Sequence, residues 1–216
     1  MKTTSILLSA ALLLLAVPAA IGQQHIAAKV EPVAMESLAL FKTLLTDQKN
    51  YRQMGFESAE EANRMTLGIP MQVYMVPLDR LRNYAGGTPP ESLLADTRHI
   101  LYPVRVDNQT RSSLMLAEAQ GSWKAVSFGS PTLIRKICEA RMTSVGITGM
   151  AAVEHFVVEI PALNLYFIGI RQGGALKLAP VVDDARLDFR AGISQPAEQV
   201  FTTLAPYAKA HDGLPR

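Results

Sequence analysis

The chain has 216 residues, 21 Lys plus Arg against 19 Asp plus Glu, and a formal net charge of +2. That balance excludes the concentrated basic face of a nucleic-acid binder, and an apolar content of 49% with 19% charged residues excludes a disordered chain. A single cysteine excludes a disulfide framework and a thiolate metal cluster.

The N-terminus carries one positive charge at Lys2, then an apolar run from Ile6 to Val17 broken only by Ser9. Ala20 and Gly22 supply small residues at the −3 and −1 positions of a cleavage site. This is the pattern of a secretory signal peptide over residues 1–22, with a mature start near Gln23. The run is shorter than the roughly 20 residues that span a bilayer, so no stable membrane insertion is expected after cleavage. No twin arginine precedes it, and no cysteine near the cleavage site could take a lipid. The expected location is periplasmic or secreted. Asn108-Gln109-Thr110 fits a glycosylation acceptor, but reads as a turn in a bacterial exported chain.

Helical spacing of Ala34, Leu38, Phe41 and Leu45 predicts a first helix over Val33 to Thr46, with Ser37 on its outer side. Ser58-Ala59-Glu60-Glu61 fits a capping box opening a short helix to about Thr66. Met71 to Val76 reads as a strand and Leu78 to Tyr84 as a short helix. Arg98 to Val106 alternates, with Ile100, Tyr102, Val104 and Val106 on one face. Pro103 lacks a ladder donor, which predicts an edge or bulged strand. Strands over Ser113 to Glu118 and Trp123 to Phe128 complete an antiparallel meander. Ser130-Pro131 is read as a cap and first helical position of a helix to about Met142, with a stripe of Leu133, Ile134, Ile137 and Cys138. Val145 to Ala152 is read as a link between halves.

Beyond it, Val153 to Ile160, Leu163 to Ile170 and Ala175 to Val182 are predicted strands, the last two joined by Gly173-Gly174. Leu163 to Ile170 is apolar on both faces, which predicts a central, covered strand. Leu187 to Arg190 suggests a short edge. Pro196 opens a last helix with Ala197, Val200, Phe201 and Leu204 on one face, expected to end or kink near Leu204 because of Pro206. Hairpin strands punctuated by helices predict an α+β fold with antiparallel sheet. Both halves end in strands followed by one helix, so residues 23–144 and 145–216 are read as two similar sheet-plus-helix halves that share one domain or form two.

The stretches Gly55-Phe56-Glu57-Ser58-Ala59-Glu60-Glu61-Ala62 through Leu67-Gly68-Ile69-Pro70 to Val73-Tyr74, then Tyr102-Pro103-Val104 and Gly121-Ser122-Trp123, resemble exported bacterial proteins of no assigned function. The resemblance covers the first half. It implies export and an α+β fold, and brings no activity or catalytic residue.

No motif marks a catalytic residue, so any catalytic residue stays unknown, and no cofactor-binding residue or metal ligand is expected. His25, His99, His155 and His211 have no metal-ligand spacing. His25 and His211 are read as mobile, His99 and His155 as solvated strand residues that a double alanine variant would tolerate. Cys138, on the apolar stripe of its helix, is read as a buried structural residue. Asp183 and Asp184 with Asp188 lack a calcium-loop pattern and are read as a charged hairpin end. Gly86-Gly87 and Gly173-Gly174 lack phosphate-loop spacing. Ser112, Ser113 and Ser127 have no local partner, and no nucleophile elbow appears. Trp123 and Tyr102 are read as aromatics of neighbouring strands packed beneath a helix. Methionines at 35, 54, 65, 71, 75, 115, 142 and 150 offer either core filling or adaptable apolar surface.

The reading that follows is an exported, non-catalytic binding or chaperone-like module of the cell envelope, needing no cofactor, with envelope proteins or peptides as partners and no nucleic acid. The alternative is a periplasmic hydrolase whose site is assembled from distant residues, with His99 or His155 as base.

Overall fold

The computed structural model describes residues 20–48 and 50–213. The signal-peptide reading of residues 1–22 lies outside them as far as residue 19. Helix α1 spans Ala20–Gln48, starting well before the expected Val33 and passing through Pro32. Ala34, Leu38, Phe41 and Leu45 are all buried, and Val30 extends the stripe back one turn. Ser37 is also buried, not on the outer side; its hydroxyl donates to the Val33 carbonyl at 2.7 Å.

A 3-10 turn over Ala59–Arg64 leads into strand β1 (Met65–Leu67). The expected capping box does not form: the Ser58 side chain caps nothing. Glu61 instead accepts from the Glu57 N–H at 2.8 Å and pairs with Arg111 at 3.1 Å, which lets its carboxylate be buried. Then follow β2 (Met71–Met75), α2 (Leu78–Arg82), β3 (Ala95–Val106), β4 (Gln109–Ala119), β5 (Ser122–Gly129), α3 (Pro131–Thr148), β6 (Phe156–Ile160), β7 (Leu165–Gln172), β8 (Ala175–Pro180), β9 (Gln195–Pro196) and α4 (Ala197–Ala210).

The fold is α+β. One sheet runs β5-β4-β3-β2-β6-β7-β8-β9, with β1 beside β3. The β2–β6 pair is parallel and the other ladders are antiparallel. Two meanders thus run outward from a shared parallel centre, one from β2 and one from β6. One sheet face packs on α1 through Ile100, Tyr102, Val104, Leu114 and Leu116, and on α4 through Phe156, Val158, Phe167 and Leu178. The other face packs Met71, Val73, Leu101, Val157 and Ile168 against Ile134 and Ile137 of α3.

Pro103 is interior rather than at an edge, since β3 lies between β4 on one side and β1 with β2 on the other. β1 ends opposite Val104 and β2 begins opposite Leu101, so Pro103 faces the gap between them. Its carbonyl accepts from the Gly68 N–H at 2.7 Å on that side. The N and O of one antiparallel residue point the same way, so the missing donor also faces the gap and breaks no ladder bond. β7 is central as expected, between β6 and β8, with Phe167, Ile168 and Ile170 buried.

Several boundaries differ. α3 continues to Thr148 and closes on Gly149 in the left-handed region, so Val145 to Thr148 is its last turn and not a link. Ser130 does not cap it with its side chain; it is itself left-handed, at φ 55°. α4 runs through Pro206 to Ala210, because Val200, Phe201, Leu204, Ala205 and Ala208 are buried along its whole length. Arg82 of α2 holds its end, donating from Nε to the Ala208 carbonyl at 3.0 Å. The expected edge at Leu187 to Arg190 shrinks to one bridge, Asp184 with Phe189; β9 takes the place beside β8.

Candidate functional site

The histidines separate. His155 is 1% exposed, and it precedes β6 rather than lying on a strand. Its Nδ1 lies 3.0 Å from the Ala151 carbonyl and its Nε2 3.1 Å from the Ser144 hydroxyl. Burial, together with Arg141 nearby, moves its pKa below the ordinary 6.5, which favours the neutral ring. The neutral tautomer that satisfies both contacts donates from Nδ1 and accepts the serine proton at Nε2. A serine, a base and an orienting acceptor form the skeleton of a nucleophilic dyad. Ser144 is also 1% exposed, so no substrate reaches it and the pair acts as an internal staple on α3. The expectation of a solvated His155 is corrected accordingly. His211 is no loose tail residue either: its side chain is 7% exposed and its Nδ1 accepts from the Gly213 N–H at 2.9 Å. His25 lies on α1.

Cys138 is partly buried, and burial pushes its thiol pKa up despite Arg141 and Arg105 nearby. Asp184 is engaged by Arg186 at 2.7 Å, and Asp183 accepts from the Ala191 N–H at 2.8 Å. Tyr102 and Trp123 are not on neighbouring strands, since β4 lies between β3 and β5. Both do pack into the apolar cluster beneath α1. The methionines split: Met71 is core, whereas Met35 is 54% and Met142 59% exposed.

Among the described residues two concave places stand out. The larger is an open groove of about 480 Å³ between α1 and β1, lined chiefly by Met35, Leu38, Met65, Leu67 and Tyr102, with Glu31. Its volume lies in the range of ligand sites, about 300–1,000 Å³. The groove exists because β1 stops after three residues and the chain leaves through Gly68 and Pro70 before β2 begins. Tyr102 forms part of the wall. Burial, and secondarily the Glu31 carboxylate, hold its phenol pKa up at about 12.

The smaller cavity, about 180 Å³, lies between α3 and the opposite sheet face. Val73, Leu101, Val157, Leu133, Ile134 and Ile137 give it apolar walls. Glu159 and Tyr166, cross-strand partners of β6 and β7, supply its polar side together with Ser113 and Ser127. Burial raises the Glu159 pKa, and the charge of His99 on β3 pulls against that rise. Burial and the Glu159 carboxylate raise the Tyr166 phenol. The fold therefore brings His99 into the electrostatic range of Glu159, a grouping that strand alternation alone does not reveal. The available signal was one carboxylate inside the apolar strand Phe156–Ile160.

Comparison of the chain with protein-family models, with curated proteins and with solved structures gives no match in any of the three. Among the described residues no helix is long and apolar enough to cross a membrane.

Proposed function

We propose that the protein is an exported binding module of the cell envelope, and that the groove between α1 and β1 receives an extended apolar polypeptide segment carrying a basic residue. The groove itself carries this reading: an open trough of about 480 Å³ walled by two methionines, two leucines and a tyrosine. Methionine side chains are unbranched and adapt to varied apolar partners. Glu31 contributes a negative charge to the lining. β1 pairs only with β3 among the named strands, so the groove runs beside a short strand whose other side carries no ladder.

The test uses a fluorescein-labelled decapeptide of Leu and Ala with one central Lys, followed by anisotropy. Saturable binding by the full chain is expected. Met35→Gln, at an exposed position, should weaken it by about three- to tenfold, since one apolar contact contributes about 1 kcal/mol. Equal binding by wild type and variant would contradict the reading. N-terminal sequencing of the exported product tests the export half, with a start near Gln23 expected and a start at Met1 contradicting it.

The hydrolase alternative has one feature in its favour, the placement of His99 within electrostatic reach of Glu159. Burial of both His155 and Ser144 argues against His155 as its base.

A further inference from the structure

We propose that the cavity between α3 and the sheet binds a small organic ammonium ion, with Glu159 as its counter-charge and Leu133, Ile134, Ile137 and Val157 as its apolar wall. A half-buried carboxylate without a protein donor favours a cation beside it. Among the described residues no hydrogen bond or ion pair engages the Glu159 side chain. The groups that bear on it are few. β3 offers His99, which favours the carboxylate when it carries a proton. β7 offers Tyr166, a neutral phenol at ordinary pH. α3 contributes Leu133, Ile134 and Ile137, β4 contributes Ser113 and Met115, β5 Ser127 and β2 Val73. No lysine or arginine is in the lining.

Size sets the ligand. A water claims about 30 Å³ of liquid, so 180 Å³ holds about six such units, the bulk of a butyl or pentyl ammonium ion. An apolar wall on one side and a carboxylate on the other match an ammonium on a short hydrocarbon. An anion would meet Glu159. A neutral alcohol of the same size would gain only hydrogen bonds and leave the charge uncompensated.

The backbone near the cavity is irregular on two sides. Arg98, immediately before His99, has φ 54°, and Ser130, in the cavity lining, has φ 55°. The strained Arg98 belongs to an irregularity in the β2–β3 register between Val73 and Tyr74. Thr97 holds that irregularity by donating to the Val73 carbonyl at 2.6 Å. Bulges of this kind re-aim side chains beside sites.

The test titrates the full chain with n-butylammonium and, separately, with 1-butanol, by calorimetry at about pH 8 and then at successively lower pH, down into the range where a carboxyl takes up its proton. Saturable butylammonium binding is expected at the higher pH. It should fall at least about tenfold in Glu159→Gln, and also on acidification as Glu159 takes a proton. Butanol should bind more weakly and respond to neither change. A second reading does not depend on the variant: in the wild type, the carboxyl carbon resonance of Glu159 should titrate at lower pH when butylammonium is saturating. Butylammonium binding that is absent, unchanged in Glu159→Gln or matched by butanol would overturn the proposal, as would an unmoved Glu159 titration. Because the groove lies on the other sheet face, neither result alters the peptide titration.

Discussion

The Phe156 ring occupies the space that a side chain at position 169 would need. A methyl group built on Gly169 would come within 2.3 Å of that ring, far inside contact distance. Tyr74 meets Phe156 edge-on at 5.1 Å and the Arg171 guanidinium lies 4.7 Å from its centroid, so the ring has little room to yield. Gly169→Ala should therefore cost about 1–3 kcal/mol by overpacking, measured as a lowered urea midpoint; an unchanged midpoint would show that the ring is free to move. At His155 polar satisfaction sets the cost. Removing the ring in His155→Ala leaves the buried Ser144 hydroxyl and Ala151 carbonyl without it, a cost of about 1–3 kcal/mol. A histidine whose folded pKa lies below the unfolded value takes up its proton more readily in the unfolded chain. Its contribution is therefore present above the ordinary pKa of 6.5 and is lost as pH falls from there toward the lowered folded value. The stability gap between wild type and His155→Ala should narrow between about pH 7 and pH 5. A gap independent of pH would contradict a neutral, buried His155.

At the scale of the element, α4 is decided by burial over propensity. Pro206 removes one donor and crowds the preceding turn, yet Val200, Phe201, Leu204, Ala205 and Ala208 stay buried on both sides of it. Pro206 is exposed, so Pro206→Ala should stabilise the protein, by up to about 3 kcal/mol; a lower thermal midpoint would mean that the proline fixes a bend the packing needs. β7 is the opposite case, where pattern alone suffices. Its run of apolar residues on both faces marks a strand with neighbours on either side, and it lies between β6 and β8. Phe167→Asp should prevent soluble expression, because a fully buried, unpaired carboxylate costs several kcal/mol or more; near-normal yield would contradict its burial. Periodicity therefore exposed the elements that bury a stripe, including Ala34 to Leu45 of α1. What it could not expose depends on pairing. Pro103 reads as an edge or bulge residue until the gap between β1 and β2 is known, and Glu159 reads as one charge in a strand until His99 and Tyr166 are placed beside it. Glu61 fits a capping box locally, but Arg111 and the Glu57 N–H, set by the β-meander, claim its carboxylate instead.

At the scale of the whole molecule, the sheet divides its two faces between two kinds of concavity. On the face under α1, the early end of β1 opens a groove rich in methionine and leucine. On the face under α3, the same sheet encloses a small cavity with one carboxyl. The first suits an adaptable contact with an apolar chain and the second a compact ligand, and each can be removed without touching the other. The near-neutral charge of the whole chain offers no long-range steering toward polyanions, which places the burden of recognition on these local surfaces. The most direct test of the groove as the binding surface uses protein labelled at the methionine methyl carbons and titrated with the Leu- and Ala-rich peptide. The methyl resonances of Met35 and Met65 should shift saturably while that of Met142, exposed on α3, stays in place. Shifts at Met142 with none at Met35 and Met65 would contradict it.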